Sequence, residues 1–364
     1  MTLRIFTYQD ADAPQLTGQA GSLIGVLRKV LAEGYGTGED EKASLDWEMM
    51  LDGDRNDEQA AFRSKDTDST QRWLVLDDRG GPKTDHFGPP HGWGDARICY
   101  ARGAHSFTGW DSNGVPQVGA MFPTAAQRDD EIPSDFHKSQ SEDGTERPWL
   151  ILGDERCFYL FTRGTYDADW HTSNINLYAT AMYFFGDVVS FFEPAHKMCA
   201  IGGSHDNTNT SNNNWGHRAQ WFTNHRNNFR GSYLDHGIQL ASTSLRSFNT
   251  WMNSDGLSTN ADDYGDIVTL ADIPVVPVLK GPWIVPKYRL DGGTGGSTHY
   301  MARFPYFRHM DCDTDYNSFY DELFGADSLA RTMVEIPGVG ELFAIPVDGA
   351  NSDRGLALFD LEER

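Results

Sequence analysis

The sequence predicts a mainly β (α+β) fold: a β-rich body of short antiparallel strands, one N-terminal amphipathic helix and long loops. Three observations carry this. Apolar and aromatic runs of four to eight residues recur between turn signals, as in RWLVLDD (72–78) and ARICYARG (96–103). Aromatics are plentiful, with 10 Trp, 14 Tyr and 21 Phe, and such residues suit a pleated, half-buried surface. A firm helical period occurs near the N-terminus, whereas 37 Gly and Asn-rich stretches mark loops elsewhere.

Residues 2–8 (TLRIFTY) read as the first strand. The helix follows in DADAPQLTGQAGSLIGVLRKVLAEGYG (10–36), where Ala20, Leu23, Ile24, Leu27, Val30 and Leu31 share one face. Thr17 is the expected N-cap, and Gly34 with Gly36 the expected stop. Gly21 and Gly25 each cost a helix about 1 kcal/mol relative to Ala, which predicts a second backbone passing close to both. Neither a Walker loop nor a dinucleotide fingerprint is present, because Gly18 and Gly21 match neither spacing. Asp10 and Asp12 follow Arg4 where a secretory leader would be basic and then apolar. No apolar run approaches the roughly 20 residues of a membrane span.

The stretch 37–70 is acidic and reads as solvated, anchored by Trp47, Met49, Met50, Leu51 and Phe62. PWLILGDERCFYLFTRG (148–164) reads as a hairpin turning at Gly153-Asp154-Glu155-Arg156. FFGDVVSFF (184–192), HKMCAIGG (196–203), ELFAIPVDG (341–349) and RGLALFD (354–360) supply later strands. Pro274, Pro277, Pro282 and Pro286 demote the 273–290 stretch to edge strands or linkers, and a shorter helix is expected around 318–331. Nothing repeats at a fixed period. The domain reading is a helix plus β-rich core over 1–202, an Asn-rich polar loop insertion over 203–265, and a β-rich part over 266–364. That last part either completes the same core or forms a second small domain.

The formal charge of −23 repels phosphate backbones, so no nucleic-acid partner is expected. Cys99, Cys157, Cys199 and Cys312 show no C-x-x-C spacing, and buried free thiols are the expectation.

The sharpest chemical pattern is DCDTDYNSFYDE (311–322), which puts Asp311, Asp313, Asp315, Asn317, Phe319 and Glu322 at the ligand positions of a calcium loop. Tyr316 occupies the position that needs Gly, and Pro305 spoils the helix that should precede such a loop. An exposed acidic turn is therefore the favoured reading. His196 to His236 lack zinc spacing. Asp154 and Glu155 read as turn formers or partners of Arg156 rather than an acid–base pair. No nucleophile motif occurs. GGTGGS (292–297) reads as a flexible turn, so neither an enzyme nor a cofactor is expected. Trp215, Trp221 and Phe229, in a run holding eight Asn between 207 and 228, could stack on sugar faces, although anchoring their own loop is the expected role.

The run DADAPQLTGQAGSLIGVL…GYG resembles the opening of a family of virion structural proteins of tailed bacteriophages. MFPTAAQ (121–127), RPWLILGDERCFYLF (147–161), FFGDVVSFF, HKMCAIGG and GELFAIPVD are similar to later parts of that family, in the same order. The chain departs from it in the acidity of 37–70 and in the enlarged 203–265 region. The resemblance implies a non-enzymatic structural component of the virion, in the tail, tail tip or baseplate. Its partners would be other phage virion proteins and copies of itself in a ring or trimer, with no nucleic acid, no membrane span and no cofactor. The alternatives are a receptor- or glycan-binding virion protein and a head decoration protein. Residues 2–8 and 273–290 are candidate arms for pairing with a neighbour's sheet edge.

Overall fold

The computed structural model describes residues 2–55, 57–80, 98–122, 136–139, 142–162, 181–190, 197–203, 232–235, 242–248, 279–280, 283–286, 302–312, 332–336, 340–348 and 354–362. The fold is mainly β, with antiparallel sheets and, among the described residues, a single short α-helix. In chain order the first half holds β1 (Arg4–Thr7), α1 (Ser22–Leu27), β2 (Trp47–Leu51), β3 (Gln59–Ser64), β4 (Trp73–Asp77) and β5 (Ile98–Ala104). Then come β6 (Phe107–Trp110), β7 (Pro116–Val118), β8 (Met121–Phe122), β9 (Phe136–His137), β10 (Trp149–Gly153) and β11 (Cys157–Thr162). The middle supplies β12 (Ala181–Ser190), β13 (Met198–Gly203), β14 (Ser232–Asp235) and β15 (Ser242–Phe248). The last part supplies β16 (Leu279–Lys280), β17 (Trp283–Pro286), β18 (Ala302–Arg303) and β19 (Phe307–Cys312). It ends with β20 (Thr332–Ile336), β21 (Gly340–Asp348) and β22 (Arg354–Phe359).

Among the described residues these strands build three layers. The central nine-stranded sheet runs β1-β10-β11-β12-β13-β14-β15-β17-β18, and β18 pairs again with β12. The ladder from β12 through β18 is therefore a closed ring of six strands. Along β10 to β13 side chains alternate between two cores, as strand geometry requires. Ile151, Phe158, Leu160, Tyr183, Phe185 and Ile201 meet α1 and the sheet β2-β3-β4-β5-β8. Leu150, Leu152, Tyr159, Phe161, Phe184 and Ala200 meet Phe307, Phe343, Ile345 and Phe359 of the sheet β16-β19-β22-β21-β20. Burial on both faces explains why WLILG and CFYLFT are unbroken apolar runs instead of alternating ones. At the centre of the second core, the Tyr159 ring lies 4.9 Å from Phe184 and 5.0 Å from Phe359.

Several expectations are corrected. The anchors expected in 37–70 hold, with Trp47 and Phe62 buried, but the rest is not a solvated run: β2 and β3 form a hairpin that also buries Gln59, Ala60, Ala61 and Ser64. Its polar residues cap turns and form ion pairs, as Glu48 does with Arg63, and this hides the hairpin from a hydrophobicity reading. Within 273–290, β16 is an edge strand as expected, whereas β17 is not, since it lies between β15 and β18. Pro286 is the last residue of β17 and lies beyond the Trp283–Ile284 pairing with β18. β14 and β15 fall within the 203–265 stretch and are strands of the central sheet. The helix expected around 318–331 lies outside the described residues.

Helix α1 continues into a wider turn over Arg28–Glu33, closed by Gly34, whose N–H donates to Lys29 O at 2.7 Å. Gly34 has φ +84, so the expected stop is where the chain places it. Thr17 is not the cap. Its Oγ1 accepts from Gln19 N–H, and the helix starts later, at Gly21 with φ +75. A second backbone comes near only at Gly21, where an added Cβ would lie 3.9 Å from Glu58 Cα and 3.3 Å from its side-chain Cγ. Gly25 has no such neighbour within 4 Å.

β1 is the edge of the central sheet, and its outer side is occupied within the chain. Leu3 N–H donates to Leu361 O, Thr7 N–H donates to the Asp10 carboxylate, and Lys42 Nζ donates to Ile5 O. Filling the donors and acceptors of an edge in this way discourages pairing with another chain. Residues 2–8 are therefore part of the protein's own sheet, not a detached arm.

Candidate functional site

Two buried polar nodes tie the layers together. The first is the β10–β11 turn. Asp154 Oδ1 accepts the N–H groups of Arg156 and Cys157 at 2.7 and 2.8 Å, as turn chemistry favours. Its Oδ2 accepts the Tyr306 hydroxyl at 2.8 Å, and its carbonyl accepts the Trp47 indole N–H at 3.2 Å. One fully buried residue thus joins the central sheet to β2 on one side and to the 304–307 segment on the other. The Tyr306 backbone is left-handed, with φ +62, a conformation rare outside glycine and asparagine. Arg156 pairs with Asp66 and Asp68 rather than with Asp154 or Glu155.

The second node caps α1. Asp78 O accepts Gly21 N–H at 3.0 Å and Asp78 Oδ2 accepts Leu23 N–H at 3.1 Å, which satisfies donors that a helix start leaves open. Lys138 Nζ donates to Asp78 Oδ1 at 2.5 Å and to Gln19 O at 2.6 Å, and both side chains of the pair are wholly buried. Beside it, Asp77 accepts from Arg79 and from Gln59 Nε2. Across the molecule, Asp187 accepts Thr70 N–H. These carboxylates are held by backbone donors and fixed cations, an arrangement that fastens segments together.

Tyr35 forms a smaller node. Its hydroxyl donates to Asp10 Oδ2 at 2.7 Å. Burial, and then the hydrogen bond to Asp10, push the phenol well above its ordinary pKa. The folded pKa is the higher one, so the stability from this phenol is complete below the unfolded value of about 10 and is lost as pH rises above it. Alkaline denaturation should show wild type losing about 1.4 kcal/mol per pH unit above 10 relative to Tyr35→Phe. Parallel pH curves for the two proteins would refute this assignment.

Of the residues singled out in the sequence, Asp311 lies in β19, opposite Gly355 of β22. Asp313, Asp315, Asn317 and Glu322 lie outside the described residues, as do Trp215, Trp221 and Phe229. Among the described residues no group of three His, Cys, Asp or Glu side chains is arranged to hold a metal ion. Cys99, Cys157 and Cys199 are buried. No described helix is long and apolar enough to cross a membrane. The nodes at Asp78 and Asp187 escaped the sequence reading. The only signal for Asp78 is the Asp77-Asp78 pair closing an apolar strand, and its partner Lys138 lies 60 residues away.

The class these features define is a layered, antiparallel β protein fastened by buried polar nodes. No family model matches the chain, and no curated protein matches it.

Proposed function

We propose that this protein is a non-enzymatic structural component of a tailed-bacteriophage virion, placed in the tail, tail tip or baseplate. It acts by self-assembly and by contacts with other virion proteins. One observation carries the reading beyond the resemblance itself. The two runs that most resemble the virion family, 10–36 and 147–161, fold against each other around one core. Arg147 N–H donates to Leu16 O at 2.7 Å, and the Trp149 indole N–H donates to Pro14 O at 2.9 Å. Leu16, Leu23, Trp149 and Ile151 share a single core. The resembling residues thus form scaffold, as a signature of architecture should.

The test is gold-labelled antibody on intact purified particles viewed by electron microscopy, with mass spectrometry of the same particles. Label at the tail or its tip is expected. Label over the head would move the protein to the shell. Absence of both label and peptides would sink the virion reading.

A further inference from the structure

We propose that Lys138 and Asp78 condense into an intramolecular isopeptide bond. Three features of the site point to it, and none depends on where the protein acts. First, the reacting groups already touch: Nζ lies 2.5 Å from Oδ1, with both side chains at 0% exposure. Holding an amine and a carboxyl in contact replaces a bimolecular encounter by a step within one molecule, which is the largest advantage positioning can give.

Second, the buried ion pair carries a desolvation cost that the amide does not. Two charges taken out of water are expensive even when paired, and condensation removes both at once. Water, the other product, leaves for bulk solvent.

Third, the neighbours suit the product. The Leu23 N–H donates to Oδ2, the oxygen that becomes the amide carbonyl, and it would also steady the negative charge that builds there during attack. Gln19 O accepts from Nζ, which keeps one hydrogen as the amide N–H. Donor and acceptor on either side therefore remain satisfied after the bond forms.

The step balances without a co-reactant. Lys138 Nζ bonds to Asp78 Cγ and the Cγ–Oδ1 bond breaks. Two of the three ammonium protons leave with Oδ1 as water, and the third stays on nitrogen. Nothing is oxidised or reduced. The product would join the end of β4 to the residue following β9, closing the chain across 60 residues at the start of α1.

Mass spectrometry of the purified full chain under denaturing conditions decides the matter. The intact mass should fall short of the sequence mass by one water, about 18 Da, and proteolysis should release a branched peptide joining residues 78 and 138. Lys138→Arg, which keeps the cation but cannot form this amide, should restore the full sequence mass. Wild-type protein at full mass overturns the proposal whether or not the variant folds. So does a loss of water that maps elsewhere, for instance to a succinimide at Asp143-Gly144.

Discussion

Gly186→Ala should leave little folded protein. Gly186 lies inside β12, opposite Cys157 of β11 and Ala200 of β13, and its φ is +134. An added Cβ would sit 2.3 Å from Arg156 O and 2.4 Å from Cys157 Cα. Both obstacles are backbone, and the Arg156 carbonyl also accepts Asp187 N–H at 3.0 Å. The clash therefore cannot be relieved by turning a side chain; β11 and β12 would have to separate. Backbone strain of roughly 1–3 kcal/mol and overpacking of similar size together give a loss of about 4 kcal/mol or more. That is a large part of a typical domain's stability. Gly25→Ala is the matched control, because nothing lies within 4 Å of its added Cβ. It should be neutral or stabilising by up to about 1 kcal/mol. Urea denaturation and soluble yield measure both. A Gly186→Ala protein as stable as wild type would show that β11 and β12 do not approach this closely.

Gly25 and its neighbour Gly21 show how far the sequence could be read. Gly21 and Gly25 look alike in the chain, one helical turn apart, yet Gly21 has φ +75 against Glu58 while Gly25 stands in open space. The difference comes from the 57–58 turn, which only the tertiary fold brings to Gly21. Local signals were legible where the cause was local. The β10–β11 turn and the Gly34 stop each depend on residues within a few positions. The layer order was not legible, because an unbroken run such as CFYLFT reveals double-sided burial without naming what covers each face. The β2–β3 hairpin was masked by its own charges. It is buried on both faces, and small residues serve each, Ala60 on one and Ala61 on the other, too small to stand out in a hydrophobicity pattern. Asp78 was hidden for another reason: a carboxylate after a strand looks like any solvated strand end until Lys138 and the start of α1 arrive beside it.

Asp154→Ala should be the most damaging removal of a single polar side chain in the β10–β11 turn. It strips acceptors from Cys157 N–H and the Tyr306 hydroxyl, both fully buried, and from the part-buried Arg156 N–H. A buried donor left without a partner costs about 1–3 kcal/mol. With partial relaxation of the three, the expected loss is about 3–5 kcal/mol. Asp154→Asn should cost far less. Its side-chain oxygen can still accept the two N–H groups, and the Tyr306 hydroxyl can turn to accept from the amide. Tyr306→Phe removes only the reach to the 304–307 segment and should cost about 1–2 kcal/mol. The double variant separates two models. If Asp154 and Tyr306 act as one fastener between layers, Asp154→Ala with Tyr306→Phe should cost clearly less than the two single losses added together. Full additivity would mean that the turn and the C-terminal layer are held independently, and that the 2.8 Å contact contributes little to joining them.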